Sequence, residues 1–172
     1  SAAASIGAAM VLRVANADVL PYDYVEYANT MKHYLPAIDK SLAAKHWQGN
    51  TAAVRDAIDR FQAAAASFNG ARDAMLAGQP SHDALQNTNA ALRQVERAFT
   101  RPEGLTTRPW FRNLIYVADE DNGYANMVFP SVNEAIRAGD EARTMREIAD
   151  LATRFDAATA ALGEAQRLAA AK

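Results

Sequence analysis

The chain has 172 residues, enough for one domain with a substantial core, and is 50% hydrophobic, 22% charged and 8% aromatic. A formal net charge of −2 gives no electrostatic basis for binding nucleic acid or an anionic membrane surface, and the lack of cysteine removes disulfides and thiol chemistry. No apolar run approaches the roughly 18 to 20 residues that cross a bilayer, so direct membrane insertion is not expected. The opening "SAAASIGAAMVLRVANADV" lacks the basic start of a signal peptide.

In that opening, Ile6, Met10 and Val14 recur at helical spacing and predict a short helix, which Gly7 weakens. "NADVLPYDY" reads as a loop. Asp23 and Glu26 have the D-x-x-E form of a capping signal and open a helix at Tyr24. Along it, Tyr24, Ala28, Met31, Leu35, Ile38 and Leu42 step by four and three and line one face. Pro36 falls inside that pattern and is expected to kink or break the helix.

The next helix begins near Asn50 or Thr51, with Val54, Ile58, Phe61, Ala65, Phe68 and Met75 inward, and ends at Gly78 and Pro80. Asp56 and Arg60 on it have the spacing of an i, i+4 ion pair. Ser81 is an N-cap for a third long helix carrying Leu85, Leu92, Val95 and Phe99. An irregular stretch follows, and "RPWFRNLIYVADEDNGYANMVFPSVNEAI" holds two prolines, an apolar run, an acidic turn and several aromatics. After Pro130 a short helix with Val132, Ala135 and Ile136 stops at Gly139. The last helix runs from about Asp140, with Ile148, Ala152, Phe155, Thr159 and Leu162 inward. The expected architecture is therefore all-α: a single antiparallel four-helix-bundle-like domain over residues 1–172, with a long irregular loop between the third and last long helices.

Chemistry-bearing patterns are scarce. His33, His46 and His82 lie in separate segments with no metal-ligand spacing, and no nucleophile elbow or phosphate-binding loop occurs. The acidic turn "DEDNG", residues 119–123, invites a calcium reading. Counted from Asp119, however, an EF-hand would need an oxygen ligand where Gly123 stands and glycine where Tyr124 stands. Asn122-Gly123 is better read as a tight turn in which glycine adopts positive φ. No catalytic residue and no metal site are expected in this chain.

Three stretches taken in order carry a resemblance: "LRVANADVLPYDYVEYA", "LRQVERAFTRPEGLTTRPWFRNLIYVADEDNGYANMVFPSVNEAI" and "REIADLATRFDAATAAL". Together they resemble the C-terminal helical domain, the transferrin receptor-like dimerisation domain, of the glutamate carboxypeptidase and transferrin receptor family. The resemblance covers nearly the whole chain and is weakest across residues 50–80. It implies a helical domain of a larger protein, pairing as a homodimer and contacting a protease-like domain of the same parent chain. That protease-like domain would hold two zinc ions, so no cofactor is implied for this chain. Family habit implies a secreted, periplasmic or membrane-anchored parent.

The resemblance also implies a role for the irregular loop. In carboxypeptidase members the matching loop closes over the substrate's C-terminal residue, and a tyrosine and a lysine there engage its carboxylates. The tyrosine position falls on Tyr124 and the lysine position on Gly123, a departure that removes the charge favouring an acidic side chain. Asn122, Gly123 and Tyr124 are thus the candidate substrate-contacting residues. The structural alternative is that Tyr124 anchors the loop on the helices, with Tyr116, Trp110 and Phe111 packing beneath it and Arg112 and Asn113 ordering it. At the level of function the alternatives are a purely structural dimerisation module of a receptor-like, non-peptidase parent, and a free-standing helical protein with an unrelated ligand.

Overall fold

Capping side chains set the boundaries of the long helices in the computed structural model, which describes residues 2–171. The helices are α1 (Ala2–Ala15), α2 (Tyr24–Ala44), α3 (Ala52–Ala77), α4 (His82–Ala98), α5 (Pro130–Arg137) and α6 (Glu141–Ala170). Asp23 accepts the Glu26 N–H at 3.0 Å to start α2, Ser81 accepts from Ala84 to start α4, and Asp140 accepts from Arg143 to start α6. Thr51, the N-cap of α3, makes no such cap. Its N–H and hydroxyl both donate to Asp39 of α2, at 2.8 and 2.9 Å, which ties the two helices together at that end.

The expected inward face of α2 is buried at all six positions. Pro36 does not break the helix, which continues to Ala44. Buried residues on both sides of it, Leu35 before and Ile38 and Leu42 after, hold the two halves on one surface and offset the lost backbone hydrogen bond. In α3, Val54, Ile58, Phe61, Ala65 and Phe68 are buried as expected, while Met75 is only partly covered. Arg60 does not pair with Asp56. It crosses to Asp156 on α6 at 2.7 Å, because the facing helix offers a carboxylate in better register than the next turn of its own.

α3 and α6 form the central pair and run parallel. Phe61 meets Phe155, and further along both helices Met75 and Ala169 line one cavity. α2 is antiparallel to α3, with Tyr24 against Phe61 at one end and Asp39 against Thr51 at the other. α4 is antiparallel to α6: Phe99 meets Phe155 edge to face with centroids 5.0 Å apart, and Asn87 faces Leu168 across a groove. The inward stripe of α6 includes Leu151 and Ala158, whereas the expected Ala152 and Thr159 are half-buried. Contact with α3, α4 and α5 together rotates and widens the buried face of this helix.

At the centre Tyr24, Tyr27, Phe61, Phe99 and Phe155 form a tilted and edge-to-face aromatic cluster. Each buried ring contributes about 1.5 to 3 kcal/mol by leaving water, and such pairs add roughly 0.5 to 1.5 kcal/mol more. α1 is helical as expected, but Ile6, Met10, Val11, Leu12 and Val14 are each more than half exposed and none of its residues is buried. No helix among the described residues is long and apolar enough to cross a membrane.

Candidate functional site

The irregular loop between α4 and α5 is ordered by its own sequence. Tyr116–Ala118 (β1) and Asn126–Val128 (β2) pair antiparallel, Tyr116 opposite Val128 and Ala118 opposite Asn126, and make a small hairpin. Beneath it Leu105, Leu114 and Val117 form a second core with Phe111 against it. Backbone bonds stitch this base to α4 and back on itself: Leu114 N–H donates to Phe99, Leu105 to Phe111, and Arg101 to Arg112. Gly104 permits the stitching. Its φ is +69°, and any added Cβ would overlap the Pro109 carbonyl.

Two part-buried ion pairs hold the base to the helices. Arg108 donates through Nε and Nη2 to Glu134 Oε1 of α5 at 3.1 and 2.6 Å, and through Nη1 to the Ala118 carbonyl at 2.7 Å. Glu134, only 3% exposed, also accepts from the Thr107 hydroxyl at 2.7 Å, so each carboxylate oxygen has a donor. Arg101 reaches Glu147 of α6 at 2.8 Å and Asp150 at 3.4 Å. These pairings were not read from the sequence. The available signal was that the "RP" block carries Arg108 and the "EAI" block carries Glu134.

The tip, residues 119–125, is different. Asp119 Oδ1 accepts from the N–H groups of Asp121 and Asn122, and Asn122 Oδ1 accepts from Tyr124 N–H at 3.2 Å. Asp119 N–H donates to Ala125 and Ala125 N–H to Asn122. The turn is therefore built by aspartate and asparagine side chains. The expected turn at Asn122-Gly123 forms, but Gly123 is outside the positive-φ region, and a side chain there would enter open space. Arg137 at the end of α5 clasps Asp119 and, with burial opposing, holds its carboxyl well below the usual carboxylate range.

The tip brings Asn122, Gly123 and Tyr124 together, and the Tyr124 side chain is wholly exposed at 103%. Tyr124 consequently anchors nothing on the helices. Trp110, 71% exposed, and Tyr116, 57% exposed, also fail to pack as expected, and Phe111 alone of the three covers the second core. Asn113 does order the loop, accepting from Ile115 and Tyr116 N–H, whereas the Arg112 side chain is exposed.

Beside the hairpin, Tyr34, Ile38, Asn126, Asn133 and Arg137 line an open groove of about 330 Å³. A larger apolar cavity, about 620 Å³, lies at the far end between Met75, Pro80 and Ala169, with no titratable group among the described residues that line it. The three histidines are exposed and apart. Among the described residues no group of three or more His, Asp or Glu could hold a metal ion. In the central aromatic cluster, burial and then the Glu96 charge push the Tyr24 and Tyr27 hydroxyls far above the ordinary tyrosine value. Tyr24 donates to the Leu92 carbonyl at 3.4 Å.

The family of the transferrin receptor-like dimerisation domain matches this chain over residues 49–163. That span includes residues 50–80 and the whole loop, and leaves out the "VLPYDY" turn. A probable glutamate carboxypeptidase of Arthroderma benhamiae is 28% identical over 142 residues, covering 78% of this chain and 19% of its own. A probable glutamate carboxypeptidase of Arabidopsis thaliana is 27% identical, with the same shares. An inactive zinc metalloprotease of Schizosaccharomyces pombe is 24% identical over 87% of this chain and 20% of its own. The chain thus spans about a fifth of the length of these curated relatives.

Proposed function

The chain belongs to the transferrin receptor-like dimerisation domain family, and from that premise we propose that it is the dimerisation and substrate-closing domain of a glutamate carboxypeptidase-like zinc peptidase. The observation that carries the second half is the exposed Tyr124 on a hairpin tip whose base is buried and ion-paired to α5 and α6. A phenol with no partner in its own domain is free to donate to a substrate carboxylate. The chemistry would reside in the parent's protease-like domain, where two zinc ions would activate water. This chain would supply closure and pairing, and the purified chain would not hydrolyse peptides with or without zinc.

The exposed apolar residues of α1, Ile6, Met10, Val11, Leu12 and Val14, support contact with another part of the parent, and the resemblance implies the protease-like domain. Pairing of two copies is supported by the family's function as a dimerisation domain. Sedimentation of the chain showing only monomer at high concentration would count against it.

The decisive kinetic test is Tyr124→Phe in the full-length parent. Loss of one hydrogen bond to a charged group, about 1.5 to 3 kcal/mol, should lower kcat/KM roughly ten- to a hundredfold. Gly123→Lys, which meets no atom within 4 Å, should shift preference toward acidic C-terminal residues. The second reading, a structural module in a parent without peptidase activity, is favoured by the relative named inactive. Intact zinc ligands in the parent's upstream sequence would argue against it.

A further inference from the structure

Three consecutive carboxylates, Asp119, Glu120 and Asp121, crowd the hairpin tip and repel one another unless a cation is supplied. Arg137 supplies it. Its Nη2 donates to Asp119 Oδ2 at 2.6 Å, and its Nη1 to Asp119 Oδ1 at 3.1 Å and Asp121 Oδ2 at 3.2 Å, with Glu120 Oε1 at 3.6 Å. From Asp119 the bonds continue through Asn122 to the Tyr124 N–H, so one unbroken chain of polar contacts runs from α5 to the backbone of the exposed tyrosine.

The two ends of this chain differ in rigidity. Arg137 stands in the last turn of α5, whose Pro130, Val132, Glu134, Ala135 and Ile136 are buried, and a cation there also favours the helix's carbonyl end. The tip has no fully buried residue, and Asp119 and Ala125 are only partly covered. Exposed single ion pairs stabilise little, but a planar fork gripping one carboxylate with both arms while touching two others is the geometry in which such contacts do fix orientation.

We propose that Arg137 is the positioning residue of the Tyr124 loop: its contacts with Asp119 and Asp121 hold the acidic turn in one shape and so set where the phenol is presented to substrate. The inference rests on the reading of this loop as substrate-closing. Arg137 acts through the turn and touches no substrate itself. Without it the free loop samples several shapes and must be ordered at each binding event, which raises KM while leaving kcat nearly intact, since saturating substrate restores the closed form.

The test uses Arg137→Gln and Arg137→Lys. In the chain itself, Arg137→Gln should speed amide exchange at Asn122 and Tyr124 by about tenfold, with α3 and α6 amides unchanged. In the full-length parent, with a neutral dipeptide, it should raise KM on the order of tenfold. Arg137→Lys, which keeps the charge but loses the fork, should recover part of both effects. About 0.5 M salt should move the wild type toward Arg137→Gln and leave that variant where it is. Unchanged exchange in Arg137→Gln overturns the proposal. A KM effect from Tyr124→Phe without one from Arg137→Gln overturns it too, yet leaves the closing role of Tyr124 standing. No effect from Tyr124→Phe sinks both.

Discussion

The base and the tip of the loop between α4 and α5 are neighbours in sequence and are held by different forces. The base buries Leu105, Leu114, Ile115 and Val117 and anchors two arginines in carboxylates of α5 and α6. The tip has no fully buried residue and keeps its shape through hydrogen bonds made by Asp119, Asn122 and Arg137. Burial makes the base part of the cooperative fold, whereas polar bonds in water let the tip move without unfolding anything. A buried platform carrying a separately held polar tip is compatible with the closing role proposed above.

Substitutions should separate the two regions, starting with the largest effect. Arg108→Leu leaves the Glu134 carboxylate buried without its partner and should destabilise the chain by about 3 to 5 kcal/mol, measured by denaturant unfolding. A loss below 1 kcal/mol would mean that the base is not integral to the fold. Gly104→Ala forces a side chain into a left-handed conformation and against the Pro109 carbonyl, at a cost of roughly 1 to 3 kcal/mol in the same assay.

Alkaline pH probes the central aromatic cluster that the base adjoins. Tyr24 and Tyr27 have folded-state values raised chiefly by burial, so their protonated form is the one the fold accepts. Stability should be fully present below about pH 10, the ordinary tyrosine value, and fall as pH rises beyond it toward the folded-state values. The steepest slope is about 1.4 kcal/mol per pH unit for each tyrosine. Tyr24→Phe should flatten that fall, and an unchanged profile would refute the assignment. Smallest of all, Tyr124→Phe should shift stability by less than about 0.5 kcal/mol, as expected for a wholly exposed ring. A larger drop in melting temperature would show that the tip is anchored after all.

What the sequence disclosed follows the same division. Periodicity picked out Tyr24, Ala28, Met31, Leu35, Ile38 and Leu42 because a helix packed along one side repeats its burial every turn. It misplaced Ala152 and Thr159 because α6 is covered from several directions, and no single stripe describes such a helix. The i, i+4 spacing points Arg60 to Asp56 on its own helix and misses Asp156, because partners on other elements leave no trace in local spacing. Trp110 and Tyr116, expected to pack, are exposed, as large aromatic side chains can be at surfaces that meet something else. Asn122, Gly123 and Tyr124 were reached only through resemblance, since nothing in their chemistry marks them.

The unequal lengths of α4 and α6 have an architectural consequence. α4 has 17 residues and α6 has 30. Because Phe99, at the end of α4, lies level with Phe155, the first four turns of α6, roughly 20 Å, overhang their neighbour. Arg101 and α5 cover that overhang, seating on Glu147, Asp150 and the adjoining turns. A short connector in place of the loop would remove Arg101 from Glu147 and Asp150 and leave that side of those turns with less cover. The fold therefore needs the loop's foundation whatever becomes of Tyr124, so a descendant that lost its substrate could rewrite the tip freely but could not shed the base.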